Sequence, residues 1–253
     1  MESKRYFIEF SYDGTAFHGW QKQSNAISIQ ELIEEGLSNL LRCKTSVVGA
    51  GRTDAGVHAR QMFAHFNASI NKGFFKELVY LLNSYLPKSI NIISIERVKK
   101  TAHARFDAVE RTYKYYISTI KDPFNNSYHY FMKNPPDIDL MNEASKIIIG
   151  RKDFKSFSKS HSDVKTFICE IKNAFWYQKD NQLIFSITSN RFLRNMVRSI
   201  VGTLLQIGFK KTTFEDLKKI IKSRDRSRAG FSVPANGLFL TKIVYPSNIY
   251  IRQ

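Results

Sequence analysis

The sequence has little cysteine. Cys43 and Cys169 are the only two in 253 residues, and neither lies in a Cys-x-x-Cys pair or a Cys/His cluster. A disulfide framework and a thiolate metal site are therefore not expected, and the usage suits the cytoplasm. Histidine is equally unpromising as a ligand set. His18, His58, His65, His103, His129 and His161 are scattered without metal-ligand spacing. His58 and His65 can be placed on adjacent strands, in hydrogen-bonding or surface roles rather than at a metal. No apolar run reaches the ~18 residues of a membrane span. Met1-Glu2-Ser3-Lys4-Arg5-Tyr6-Phe7 lacks the apolar stretch of a signal peptide. There is no Gly-Lys-Ser/Thr ending and no Gly-x-Gly-x-x-Gly spacing, so a nucleotide-phosphate loop is a poor fit. Acidic residues are scarce as well: 22 Asp and Glu stand against 39 Lys and Arg, a net charge of +17. That imbalance favours a polyanionic partner. Twenty Phe and twelve Tyr accompany the charge. Such rings can stack on unpaired bases, although strand-rich packing claims most of them.

What is present reads as alternating strands and helices. Arg5 to Asp13 alternates Tyr6/Ile8/Phe10 with Phe7/Glu9/Ser11 and is broken by Asp13-Gly14. A polar loop with Phe17, His18 and Trp20 follows. Ser28 and Glu31 form a capping-box pattern ahead of the stripe Ile29, Leu32, Ile33, Leu37, Leu40 and Leu41. Val47-Val48 and Met62 to Phe66 read as strands. Asn71 opens a helix through Leu82 that Pro87 stops, and Ile90 to Val98 is a strand. The second part begins near His103. It predicts a long strand from Val109 to Ile120, then an irregular connection bounded by Asp122-Pro123 and Pro135-Pro136. A helix from Leu140 to Ile149 follows, capped by Asp137 or Asp139 with Gly150 just past its end. A hairpin turns at Lys179-Asp180-Asn181. An apolar helix spans Phe192 to Ile207, with Arg194 and Arg198 at i, i+4. A shorter helix covers Phe214 to Ile221, and the last strand Gly237 to Tyr245. The class is α+β with antiparallel pairing, divided as an N-terminal half, 1–102, and a C-terminal half, 103–253.

One stretch carries the chemistry: Gly49-Ala50-Gly51-Arg52-Thr53-Asp54-Ala55-Gly56-Val57-His58-Ala59. It sets one carboxylate among small residues that allow close approach and places it on a loop joining two strands. A tight turn with an Asx hydrogen bond is the plainer account of such a run. Arg111-Thr112-Tyr113-Lys114-Tyr115-Tyr116 opens the long strand, with Tyr113 and Tyr115 on one face. They pack a sheet or form the floor under a base. Arg191-Phe192-Leu193-Arg194-Asn195-Met196-Val197-Arg198-Ser199-Ile200-Val201-Gly202 sets Arg198 among apolar neighbours. This is either a surface arginine or a partly buried one in need of an anion.

These three segments resemble the motifs of the tRNA pseudouridine synthase A family. His103-Ala104-Arg105-Phe106-Asp107-Ala108, Asp153-Phe154-Lys155-Ser156-Phe157 and Arg228-Ala229-Gly230 with Pro234-Ala235-Asn236-Gly237-Leu238 are similar to further elements of it. The family's usual Thr-Ala-Pro-Ala reads Ser232-Val233-Pro234-Ala235 here, and its histidine before Asp153 is Lys152. The resemblance covers nearly the whole chain. It implies two ferredoxin-like halves with a merged antiparallel sheet and a central cleft. It implies that Asp54 is catalytic, that Arg198 pairs with it, and that Tyr113 stacks on the target uracil. Arg52 would occupy the space the base vacates or hold the flipped nucleotide, with Arg105, Arg111 and Arg194 on the substrate. Lys22, Arg60, Lys114 and Lys210-Lys211 are further candidates for tracking phosphates. The implied reaction converts uridine to pseudouridine at positions 38, 39 and 40 of the tRNA anticodon stem-loop. It is internal to one nucleotide and needs no cofactor or metal. The implied assembly is a homodimer. Attack at ribose C1′, attack at uracil C6 and a glycal route all remain open. Two other classes compete. A non-catalytic RNA-binding module would have no use for an aspartate facing phosphates. A hydrolase using Asp54 as general base would want a second carboxylate, a histidine partner or metal ligands.

Overall fold

A computed structural model describes residues 2–160 and 164–251; His161 lies outside them. The chain forms two compact units, Met1–Val109 with Leu240–Gln253, and Glu110–Phe239.

The first unit is built from β1 (Lys4–Tyr12), α1 (Ile29–Leu41), β2 (Val48–Gly49), β3 (His58–Ala68), α2 (Phe75–Tyr85) and β4 (Ile90–Arg97). This is the expected succession of strand, helix, strand, strand, helix, strand. β1 is central, antiparallel to β3 on one side and β4 on the other, with Ile8 opposite both Ala64 and Ile95. β2 pairs antiparallel with β3, giving the β4-β1-β3-β2 order of a ferredoxin-like sheet. A helix the length of α1 is marginal in water on propensity alone. Its buried Ile29, Ile33 and Leu37 decide the matter, at about 1.5–3 kcal/mol per side chain. The Ser28 hydroxyl accepts the Glu31 N–H, as the pattern predicted, while the Glu31 carboxylate lies 3.4 Å from Lys22 Nζ. Asn71 does not cap α2: its side chain makes no capping bond, and a 3-10 turn over Lys72–Phe74 precedes the helix. His58 and His65 lie on one strand, β3, rather than on two.

The second unit holds β5 (Glu110–Ser118), β6 (Tyr130–Phe131), α3 (Ile138–Ile148), β7 (Gly150–Asp153), β8 (Ile168–Lys179), β9 (Gln182–Ser189), α4 (Met196–Gly208) and α5 (Phe214–Ser223). β5, β9, β8 and β7 are antiparallel neighbours in that order, and β6 runs parallel to the end of β5. Asp137 caps α3, and the β8–β9 hairpin turns at Asp180, at φ 52°. α5 has the full reciprocal cap between Thr213 and Asp216. The helix predicted from Phe192 starts four residues later. Asn195 sits at φ 67°, a left-handed conformation that an α-helix cannot incorporate. Arg194 therefore precedes the helix, and the i, i+4 pairing with Arg198 does not exist. The chain leaves this unit within β10 (Leu238–Val244), whose later residues neighbour β3 of the first unit.

Among the described residues no helix is long and apolar enough to cross a membrane, and no cluster of three metal-ligating side chains occurs.

Candidate active site

Asp54 lies on the loop between β2 and β3, half-buried, with Arg52 exposed two residues earlier and Thr53 buried between them. The loop is fixed by the segment that follows β1. The Trp20 N–H donates to the Thr53 carbonyl at 3.2 Å, and the Gly56 N–H to the Phe17 carbonyl at 3.4 Å. The Val57 N–H closes a turn onto the Asp54 carbonyl at 3.2 Å. The Tyr12 and Thr53 hydroxyls meet at 2.8 Å in the interior. Gly19, at φ +91°, comes so close that a Cβ there would lie 2.4 Å from the Thr53 carbonyl oxygen. Only glycine satisfies both the dihedral and the contact. The carboxylate is thus carried on a pre-shaped turn rather than on a loose loop. This is what chemistry at a fixed atom requires.

His58 enters at the end of that loop. It is buried, and its Nδ1 accepts the Gly14 N–H at 3.0 Å while lying 3.1 Å from Asp13 Oδ1. Its role is to bind the 13–20 segment to the start of β3. The sequence reads 15–26 as a polar loop carrying Phe17, His18 and Trp20, and offers only Lys22 from it, as a phosphate contact. The loop's only signal was the concentration of glycine and aromatic residues beside the break at Asp13-Gly14.

In the second unit, Tyr113 is half-buried on β5 opposite Ile187, with the Phe192 ring edge-on at 5.1 Å. Phe192, expected inside a helix, instead stands beside this tyrosine. Tyr115, on the same strand face, is fully buried and donates to the Pro234 carbonyl at 2.9 Å. Burial raises its hydroxyl pKa well above the ordinary tyrosine value, and the Arg198 guanidinium partly offsets this. Tyr115 is therefore a protonated structural donor.

Arg198 is one of two residues of α4, with Gln206, that are not fully buried. The surface-arginine account fails. Its Nε donates to the Val233 carbonyl at 2.7 Å, and the Val233 N–H donates to the Arg198 carbonyl at 3.3 Å. The 228–236 segment presses on α4 hard enough that a Cβ on Gly202 would lie 1.9 Å from the Phe231 carbonyl oxygen. The Gly230 N–H donates to Thr203 Oγ1 at 2.9 Å. Asn195 Nδ2 and Arg226 Nη2 converge on Ser232 Oγ at 2.7 and 2.9 Å. Val233, where the family pattern has alanine, is fully buried beneath this lattice.

The other candidates separate by environment. Arg111 donates to the Asn190 carbonyl at 2.7 Å and Lys114 to the Tyr177 hydroxyl at 3.2 Å, so both have structural work on the sheet. Lys22 faces Glu31. Arg60, Arg105, Arg194, Lys210 and Lys211 are exposed.

Comparison with known proteins identifies the family. A family model described as tRNA pseudouridine synthase matches residues 9–107 and 144–246. The tRNA pseudouridine synthase A of Bacteroides fragilis is 51% identical over 251 residues, covering 99% of this chain and 100% of that protein. Those of Parabacteroides distasonis and Porphyromonas gingivalis are 48% and 47% identical, each over 98% of this chain and 98% and 99% of their own lengths. With Asp54 on its clamped turn, Arg198 on a buried helix and full-length similarity to these relatives, the chain belongs to the tRNA pseudouridine synthases, isomerases acting on tRNA.

Proposed function

We infer that this enzyme converts uridine to pseudouridine at positions 38, 39 and 40 in the anticodon arm of tRNA, with Asp54 as the catalytic acid residue. The observation that carries the reading is the Asp54 turn: a half-buried carboxylate held by backbone bonds from Trp20, Gly56 and Val57 beside an exposed guanidinium. In the reaction the bond from ribose C1′ to uracil N1 breaks. The base rotates and C1′ bonds to C5; the C5 proton leaves and N1 regains one. Carboxylates are competent nucleophiles in glycosyl chemistry, and attack at C1′, attack at C6 or a glycal route each use Asp54. Arg52 is assigned to the extruded nucleotide, whose unstacking costs a few kcal/mol. The resemblance of the Met196-Val197-Arg198 motif supports assigning Arg198 to keep the acid ionised, since a desolvated carboxylate otherwise takes up a proton. Tyr113 is assigned to stack on the uracil. The choice of the anticodon arm and a homodimeric assembly rest on the same resemblance, and the +17 charge suits a large polyanion.

The test is nucleoside analysis of unmodified tRNA after incubation with wild type and Asp54→Ala. Loss of all pseudouridine with tRNA binding kept is the expected result. Loss of binding instead would make Asp54 structural. Product at other positions would overturn the anticodon-arm assignment.

A further inference from the structure

The turn from His103 to Asp107 presents an aromatic ring that the isomerisation does not use. Phe106 is 73% exposed, yet the backbone beneath it is rigidly tied. His103 Nδ1 accepts the N–H groups of both Arg105 and Phe106, at 3.1 and 3.4 Å. The Asp107 carboxylate accepts the His103 N–H at 2.8 Å, and the Asp107 N–H returns to the His103 carbonyl at 3.0 Å. Between them, the Ala104 N–H donates to His65 Nδ1 and the Ala104 carbonyl accepts the Tyr245 hydroxyl, at 3.1 and 2.6 Å. The rings of His65 and His103 meet edge-on at 4.6 Å, and the His103 ring lies 4.3 Å from that of Phe106. Burial pushes His103 below its ordinary pKa, which leaves Nδ1 with the lone pair its two donors need. The His103 ring covers one side of this apolar ring, and most of the rest faces water.

Its surroundings say what covers it. The Arg105 guanidinium stands 5.7 Å from the Phe106 ring centre, and Lys99 and Lys100 are exposed a few residues earlier. The neighbouring Asp107 carboxylate is engaged with the His103 N–H. A rigid aromatic face beside a guanidinium is the combination that takes up unpaired bases together with their phosphates. We propose that Phe106 is a stacking platform for an unpaired base of the tRNA, with Arg105 at its flank taking the adjoining phosphate. This rests on the reading of the protein as a tRNA-modifying enzyme, and it adds an RNA subsite that the catalytic residues do not form.

The test is equilibrium binding of an unmodified tRNA transcript across a salt series. Phe106→Ala and Phe106→Leu are expected to weaken binding about 5- to 100-fold, as loss of one base stack does, with the salt slope unchanged because no charge is removed. Phe106→Tyr is expected to bind like wild type. In Phe106→Trp, added tRNA is expected to quench the new indole fluorescence. Wild-type affinity in Phe106→Ala would overturn the proposal. So would equal affinity of the Leu and Tyr variants, since leucine has no π face. A change in the sedimenting mass of RNA-free Phe106→Ala would place the ring between protein copies and overturn it equally. Binding is scored without turnover, so an inactive enzyme that still discriminates these variants would sink the catalytic reading and leave the subsite standing.

Discussion

Arg198 and Val233 grip each other twice. The Arg198 side chain donates from Nε to the Val233 carbonyl at 2.7 Å, and the Val233 N–H donates to the Arg198 carbonyl at 3.3 Å. The guanidinium is thereby oriented by the backbone of a segment that also accepts the Tyr115 hydroxyl at Pro234. An arginine with one donor committed to a carbonyl has its plane set and its other N–H groups aimed.

Arg198→Lys keeps the charge and loses the fork. The Val233 carbonyl then lacks its side-chain donor. The variant is expected to be about 1–2 kcal/mol less stable in urea unfolding and strongly impaired in pseudouridine formation. Wild-type turnover in this variant would show that charge alone suffices.

Gly19→Ala is expected to destabilise the protein by about 1–3 kcal/mol, because both the dihedral and the Thr53 carbonyl oppose a Cβ. It should also cut turnover by about 100-fold through displacement of the Asp54 turn. Gly51→Ala is the control for stability: a Cβ there meets nothing within 4 Å, so its unfolding midpoint should match wild type. Equal stability losses in the two variants would refute the clamp.

Gly202→Ala drives a Cβ onto the Phe231 carbonyl and should cost about 1–3 kcal/mol, as overpacking does. Denaturant unfolding measures it. A neutral result would mean that the 228–236 segment moves aside freely.

Stability should rise as pH is raised from about 4 to 6.5. Burial lowers His65 to about 4, and desolvation lowers His103 and His129 as well. In that window the unfolded chain binds protons that the folded one refuses, and stability is lost on acidification. His65 alone contributes at most about 3 kcal/mol. The lowered carboxylates Asp122, Glu215, Asp216 and Asp225 act in the same direction but only near and below their ordinary values. Urea midpoints at pH 4.5, 5.5 and 7, with His65→Gln flattening the trend, would check this.

Binding of tRNA should weaken steeply with salt as counterions return to the phosphates. Arg105→Ala should reduce the log–log slope by about one; an unchanged slope would remove Arg105 from the phosphate contacts.

Much of the fold was written locally. β1 follows from the alternation of Tyr6, Ile8 and Phe10, and α1 from Ser28 and the Ile29–Leu37 stripe, because both signals lie within one element. The start of α4 was misread because Phe192 and Leu193 extend its apolar rhythm, while the left-handed backbone at Asn195 leaves no mark on hydropathy. The parallel pairing of Tyr130-Phe131 with β5 was invisible for a related reason: two residues carry no period. Asp54, Tyr113 and Arg198 stood out in the sequence through their motifs. What positions them did not. The contacts of Gly19 with Thr53, of His58 with Gly14 and of Val233 with Arg198 join residues far apart in sequence, and no local pattern announces such pairs.

The return of the chain at Leu240 has a consequence for how the protein matures on the ribosome. Val109 donates its N–H to Val244, Lys99 to Ile249, and Ile251 to Arg97, while Tyr245 and Tyr250 pack edge-on against Phe7. The first unit to be translated therefore waits for residues 240–251 before its sheet is filled. Until they emerge, β3 carries an unfilled edge and Phe7 an uncovered ring. Removing residues 240–251 would leave the resulting defect in the first unit, more than a hundred positions away from the cut in sequence.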